Sequence, residues 1–87
     1  MKRNYRTAFN ALKKMGVPVI EGGYNGEDTF RISGEDNDTV VWADYYGEYM
    51  NEPEYLFGVK REINDVLDAC GLFAEWINPG VLGVCEA

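Results

Sequence analysis

Residues 4–16, NYRTAFNALKKMG, decide how the fold begins, and a proline follows at position 18. Apolar side chains recur every three or four positions in this stretch and fall within an arc of roughly 120° on a helix. The spacing therefore predicts an amphipathic helix over residues 4–15. Gly16 stands where a left-handed C-terminal cap is expected, and Pro18 cannot continue a helix. The expected buried face consists of Tyr5, Ala8, Phe9, Leu12 and Met15.

Three segments that follow the first helix have the patterns of β-strands. Residues 17–20 form a short β-branched run whose proline restricts it to a sheet edge. Residues 28–33 alternate in polarity, which places Phe30 and Ile32 on the buried face. Residues 39–45, TVVWADY, are apolar on both sides for their first half, which favours a central strand. Because short turns separate these segments, a three-stranded antiparallel meander is predicted.

Asn51 opens a second predicted helix. Glu54, three residues later, completes a pattern like a capping box, and Pro53 lies in the first turn, where its missing amide hydrogen does no harm. Gly58 falls inside this helix at a cost of about 1 kcal/mol relative to Ala, so close backbone packing is expected there. Gly71 ends the helix. The apolar face consists of Leu56, Val59, Ile63, Val66, Leu67 and Cys70, of which Leu56, Ile63 and Leu67 are expected in the core.

Residues 72–77 and 81–86 have the pattern of two strands around a turn centred on Pro79 and Gly80. The predicted order of elements is α-β-β-β-α-β-β. This order favours an α+β fold in which an antiparallel sheet carries two helices on one face. Since no repeat or linker interrupts the sequence, residues 1–87 are expected to form a single small acidic domain.

The composition argues against catalysis. The chain contains no histidine, which removes the usual general base and the usual transition-metal ligand. Ser33 is the only serine, and neither Cys70 nor Cys85 belongs to a CxxC pair, so both cysteines are expected to be reduced. Residues 35–38 are only loosely similar to the start of a calcium loop, because the glycine and the final glutamate are missing. We predict no enzyme activity, no catalytic residue, no metal site and no cofactor.

The sequence also argues against a membrane location. No stretch approaches the roughly 18 apolar residues that a membrane span requires. The first residues, MKRNYRTAFNALKKMG, lack the apolar run of a signal peptide. The protein is therefore expected in the cytoplasm, with no membrane partner.

Charge is distributed unevenly along the chain. The net charge is −7, and five of the eight basic residues lie within the first fourteen positions. On the first helix they form a stripe, for which there are two interpretations. The stripe is expected either to contact phosphates or an acidic surface, or to pair with the acidic residues of the protein itself. The acidic pI of about 4.4 argues against direct nucleic-acid binding. The residues of the stripe are Lys2, Arg3, Arg6, Lys13 and Lys14.

Residues 42–55 combine carboxylates with aromatic side chains. Tyrosine and tryptophan are enriched at the centres of protein interfaces, and neighbouring carboxylates steer a basic partner. The candidate protein-binding residues are Trp42, Asp44, Tyr46, Glu48, Tyr49, Glu52 and Glu54. Alternatively, Trp42 and one or two tyrosines pack in the core and the carboxylates only keep the protein in solution. Tyr46 and Tyr49 are the aromatic residues least expected to be buried.

Two functional hypotheses follow from these patterns. The first is a non-enzymatic interaction domain that binds a basic protein surface, including one that normally holds nucleic acid, whose backbone the protein would mimic. The second is a structural or assembly protein that forms a homodimer through its sheet edge or its second helix.

The stretches FRISGEDNDTVVWADYY (30–46) and GLFAEWINPGVLGVCEA (71–87) are similar to small uncharacterised proteins of tailed marine phages. The resemblance carries no activity and no site residue. It implies a viral origin and a place in the cytoplasm of the host cell. Phage inhibitors that occupy nucleic-acid sites on host enzymes, some anti-CRISPR proteins among them, are a broad class that such a protein resembles.

Overall fold

The computed structural model describes residues 1–35, 40–46 and 53–87. In these residues both helices pack on one face of an antiparallel four-stranded sheet, so the predicted α+β fold class is confirmed. Neither helix of the described ranges is long and apolar enough to cross a membrane. The elements in chain order are α1 (Arg3–Met15), β1 (Val19–Glu21), β2 (Phe30–Ser33), β3 (Tyr55–Leu56), β4 (Val59–Lys60), α2 (Arg61–Ala69), β5 (Leu72–Asn78) and β6 (Val81–Glu86).

Helix α1 ends as its sequence predicts. Gly16 adopts a left-handed conformation with φ of 94°, and its amide donates to the carbonyl oxygen of Lys13 at 3.0 Å. The amide of Val17 donates to the carbonyl oxygen of Leu12 at the same distance, which completes the cap. The predicted apolar face is buried at Tyr5, Ala8, Phe9 and Leu12.

The sheet has the strand order β1-β2-β6-β5, and every neighbouring pair is antiparallel. Strand β1 lies at an edge, and β5 and β6 form the predicted pair around Pro79 and Gly80. The predicted central strand over 39–45 is wrong. Residue 39 lies outside the described ranges, and residues 40–46 contribute only an isolated bridge between Ala43 and Val59. The place beside β2 belongs to β6, so the meander is also wrong.

The second helix begins later than predicted, at Arg61. The predicted cap, Asn51, lies outside the described residues, while Pro53 and Glu54 precede the β3–β4 hairpin. The predicted helical glycine, Gly58, is instead a turn residue with φ of 79°. A two-residue hairpin turn of this kind requires positive φ and favours glycine, whereas a helix interior does not.

The burial of individual side chains shows which part of the predicted second helix is correct and which part is wrong. Ile63 and Leu67 are fully buried, as predicted. Leu56 is 41% exposed, because it lies on β3 rather than on the buried side of a helix. Helix α2 ends at Ala69, and Gly71 adopts a left-handed conformation just beyond it.

The two faces of the sheet differ in what covers them. The inner face packs against the helices in one apolar core, to which the sheet contributes Phe30, Ile32, Leu72, Leu82 and Val84. The alternate residues point the other way, because successive side chains of a strand lie on opposite faces. We call this side the open face; it consists of Ile20, Arg31, Ser33, Phe73, Glu75, Ile77, Val81, Gly83 and Cys85.

Part of the basic stripe on α1 pairs with the protein's own carboxylates. Lys2 Nζ lies 2.7 Å from an oxygen of Glu86, and Arg6 Nη1 lies 2.8 Å from an oxygen of Glu21. These contacts favour the second interpretation of the stripe for two of its five residues. Both pairs are exposed to water, so each contributes little to stability.

Candidate functional site

The structure places four of the seven predicted interface residues: Trp42, Asp44, Tyr46 and Glu54. Glu48, Tyr49 and Glu52 lie outside the described residues, and so do residues 36–38 of the turn that is loosely similar to a calcium loop. The four placed residues belong to two segments that meet, residues 40–46 and residues 53–60, which end in the β3–β4 hairpin.

Three hydrogen bonds attach residues 40–46 to the hairpin. The attachment is close, because a Cβ atom on Gly58 would collide with the carbonyl oxygen of Asp44. Only glycine combines this approach with a positive φ. The bonds run from the Tyr55 hydroxyl to the Val41 carbonyl (2.8 Å), from the Lys60 amide to the Trp42 carbonyl (2.9 Å) and from the Asp44 amide to the Gly58 carbonyl (2.7 Å).

The end of this segment presents Tyr46 to solvent. Asp44 Oδ1 accepts a hydrogen bond from the Tyr46 amide at 3.1 Å, which fixes the turn. The Tyr46 side chain is 82% exposed, in agreement with its prediction. Trp42 instead is half-buried against the core, as the alternative interpretation of this segment has it.

Three aromatic rings come together beside this turn, and Phe57 joins them through its backbone carbonyl. We call the four residues the aromatic cluster: Tyr45, Tyr46, Phe57 and Trp76. The Tyr45 ring meets the rings of Tyr46 and Trp76 edge to face, at centroid distances of 5.6 Å and 5.5 Å. The Trp76 indole nitrogen donates to the carbonyl oxygen of Phe57 at 3.0 Å. Tyr45 is 43% exposed and Phe57 is 71% exposed, so much of the cluster faces water.

Three members of the cluster, Tyr45, Phe57 and Trp76, are not among the interface residues predicted from the sequence, although Tyr45 lies within residues 42–55. The sequence pattern places Phe57 in a helix. A residue followed by glycine, between an aromatic residue two positions before it and a β-branched residue two positions after it, is also typical of a tight hairpin. The sequence pattern places Trp76 on a strand, which the structure confirms. Nothing in the local pattern indicates that this strand, β5, lies beside the hairpin. The aromatic cluster is therefore assembled from three segments that are distant in the chain.

The sequence segment that contains Tyr45 and Tyr46 is acidic. Residues 35–54 contain seven carboxylates and no basic residue. The ammonium group of Lys60, on β4 of the hairpin, lies 3.6 Å from Glu54 and 3.7 Å from Glu62, and it also lies over the Tyr55 ring. Its charge is thus neutralised by the protein itself. Glu35 lies against Gly80, at the same end of the sheet as Trp76.

A separate groove of about 390 Å³ lies at one end of the open face, between the β1–β2 loop and strands β5 and β6. Tyr24, Glu75 and Cys85 are among its lining residues. Burial raises the pKa of the Cys85 thiol above its ordinary value, and the negative charges of Glu75 and Glu27 raise this pKa further. The thiol is therefore protonated near neutral pH, which disfavours a nucleophilic role.

Chemically, the arrangement is suited to binding. The aromatic cluster supplies stiff apolar rings with polar edges, and the Asp44 carboxylate beside Tyr46 supplies negative charge. No family model matches the chain, and no curated protein or solved structure matches it.

Proposed function

We propose that this protein is a non-enzymatic interaction domain that binds a basic surface of a partner protein through the aromatic cluster and the carboxylates around it. The observation that carries the proposal is the convergence of Tyr45, Tyr46, Phe57 and Trp76 from three distant segments into one exposed cluster. Such a cluster exposes apolar area that folding alone does not require.

Aromatic rings suit this role for a physical reason. They bury a large area on binding and lose few rotatable bonds, so tyrosine, tryptophan and phenylalanine dominate the energetic centres of interfaces. Tyr46 and Phe57 are the most exposed members of the cluster, at 82% and 71%. We expect these two side chains to enter the partner.

The charge around the cluster indicates the chemistry of the partner. Seven carboxylates without a basic residue in 35–54 would attract lysine and arginine side chains and repel nucleic acid. We propose that the partner is a cytoplasmic protein with a basic nucleic-acid groove, whose ligand this domain mimics. The resemblance to small phage proteins supports a groove on a host-cell protein.

The first test is a pull-down of the tagged protein from host lysate, with washes at low and high salt and identification of bound proteins by mass spectrometry. We expect one stoichiometric nucleic-acid-binding protein that high salt releases. Duplex DNA added to the complex should compete with the tagged protein. If DNA does not displace the tagged protein from its partner, the proposal that the protein mimics nucleic acid is wrong.

The second test uses variants against that partner. Tyr46→Ala should weaken binding by about tenfold or more, while Tyr24→Ala, an exposed tyrosine on the β1–β2 loop, should not. Reversal of charge at Glu48, Glu52 and Glu54 should slow association by about tenfold at low salt and by much less at high salt. Circular dichroism checks that each variant is folded. Equal binding by all variants would overturn the proposed function.

A second candidate function is self-association, which the open face favours. Ile20, Phe73 and Ile77 lie on this face and are 41–42% exposed. Sedimentation equilibrium over a wide range of concentrations tests it. A mass that stays at the 9.8 kDa of the monomer would exclude it.

A further inference from the structure

The open face has an ordered distribution of charge. The register places four of its residues in one row across the strands: Ile20 on β1, Arg31 on β2, Gly83 on β6 and Glu75 on β5. Because neighbouring strands lie about 4.8 Å apart, Arg31 and Glu75 flank Gly83 at about 5 Å on either side. The row is thus positive on one side of β6 and negative on the other.

Both charges of the row lack an ionic partner within the described residues. Arg31 Nη1 donates to the carbonyl oxygen of Gly22 at 2.8 Å, and a Glu75 oxygen lies 3.6 Å from the Cys85 sulfur. These contacts draw both charged groups toward the same end of the sheet, the end of the β1–β2 loop. Glu75 is exposed and Arg31 is half-buried, and the contacts orient both charged groups for an opposite charge brought over them.

We propose that a second copy of this chain docks on the open face about a twofold axis that runs along β6 over Gly83, so that Arg31 of each copy pairs with Glu75 of the other. This inference rests on the second candidate function, self-association, and assigns its contact. A twofold axis parallel to the strands exchanges the two sides of β6 and preserves position along them. It therefore forms both ion pairs at once, as an isologous interface requires.

Charge complementarity selects this axis over the alternative. A twofold axis across the strands would set Arg31 against Arg31 and Glu75 against Glu75, and like charges opposite each other are repulsive. Apolar contacts agree with the axis along β6. The Ile77 side chain lies over Gly83, where a Cβ atom would meet it, so the Ile77 side chains of the two copies meet near the axis.

The size of the face predicts a weak dimer. Four strands of three to seven residues cover on the order of 300 Å² per copy. This area is less than half of the roughly 800 Å² that each partner buries in a standard interface. We expect reversible association with a dissociation constant in the micromolar range or above, at an ionic strength of about 0.15 M, which screens long-range repulsion between the acidic copies.

A charge-swap cycle measured by sedimentation equilibrium tests the proposal. Arg31→Glu and Glu75→Arg should each weaken the dimer by at least about tenfold, because each change affects both pairs. The double variant Arg31→Glu/Glu75→Arg should restore association to within about threefold of the original. Arg3→Glu on α1 and Glu62→Arg on α2 change the net charge equally and should leave the dissociation constant within about threefold.

Cross-linking gives a second measurement that does not depend on the folding of the charge variants. The proposed axis passes near Cys85, so a short bis-maleimide should join two copies of Cys70→Ser and not of Cys85→Ser. Self-association without charge-swap rescue and without Cys85 cross-linking would overturn the proposed contact and leave self-association standing. A strictly monomeric protein would overturn both, without bearing on the aromatic cluster.

Discussion

Phe57 is the residue whose conformation and exposure agree least with a purely structural role. Its φ of 52° lies in the left-handed region, which costs an L-residue with a bulky side chain about 1–2 kcal/mol. The ring is 71% exposed, so burial does not offset this strain. Two-residue hairpin turns favour asparagine and glycine at such a position. The proposed function accounts for a phenylalanine at this position, because its ring would contact the partner.

Phe57→Asn tests this explanation at the scale of one residue. We expect the variant to be as stable as the original protein or more stable by up to about 1 kcal/mol, because asparagine tolerates positive φ. The same variant should bind the partner at least about tenfold more weakly. Urea unfolding and a binding titration measure the two effects. A variant that loses stability and keeps its affinity would show that Phe57 serves the fold.

Among the elements, the β3–β4 hairpin supports residues 40–46 and so positions the aromatic cluster. Gly58 makes this possible, because its missing side chain lets the Asp44 carbonyl oxygen approach. Gly16, at the end of α1, has a similar positive φ but no atom near the place of a Cβ. A comparison of substitutions at the two glycines therefore separates the cost of backbone strain from the cost of close packing.

Gly58→Ala should destabilise the domain more than Gly16→Ala does. We expect Gly16→Ala to cost about 1 kcal/mol, from strain alone. Gly58→Ala should cost at least about 2 kcal/mol, because the added methyl group also displaces the Asp44 backbone. Urea unfolding monitored by tryptophan fluorescence compares them. Equal losses would mean that residues 40–46 do not rest on the hairpin.

The ion pair between Arg6 on α1 and Glu21 on β1 makes the stability of the fold depend on pH. The hydrogen bond and the positive charge of Arg6 lower the pKa of Glu21 below its ordinary value of 4.5. Since the folded pKa is lower than the unfolded one, the pair stabilises the fold above this ordinary value and loses its effect as the pH falls through the folded pKa. Exposure keeps the effect small.

Glu21→Gln should therefore lower the urea midpoint at pH 7, and the difference from the original protein should shrink as the pH falls below 4.5. Arg6→Gln should show the same loss and the same pH dependence, because it removes the other half of the pair. A difference that persists unchanged into the acidic range would contradict an ionic origin.

At the scale of the whole molecule, β6 holds the sheet together. It pairs with β2 on one side and with β5 on the other, and its Leu82 and Val84 side chains are buried in the core. The aromatic cluster lies on the side of the sheet that faces the hairpin, whereas the open face lies on the opposite side. The proposed partner binding and the proposed self-association would therefore use different surfaces, and we expect them not to compete.

Hydrogen exchange tests the central position of β6. We expect the hydrogen-bonded amides of β6 to exchange at least about 100-fold more slowly than those of residues 40–46, since the centre of a sheet opens only with global unfolding. The predicted meander would instead protect residues 40–45 as strongly as β2. Comparable protection of the two segments would contradict the strand order.

By itself the sequence determined those parts of the fold that depend on neighbours in the chain. The end of α1 at Met15, the burial of Phe30 and Ile32 and the pairing of β5 with β6 all follow from local spacing and turn chemistry. Tyr46 belongs with these, because a polar turn predicts its exposure. Only the tertiary structure decided the rest. The pairing of β2 with β6 and the contact of Phe57 with Trp76 join residues that are distant in the sequence. The β3–β4 hairpin stands where an equally good local pattern predicts the first turns of a helix. Their free energy comes from burial shared across the whole core, which no local pattern contains.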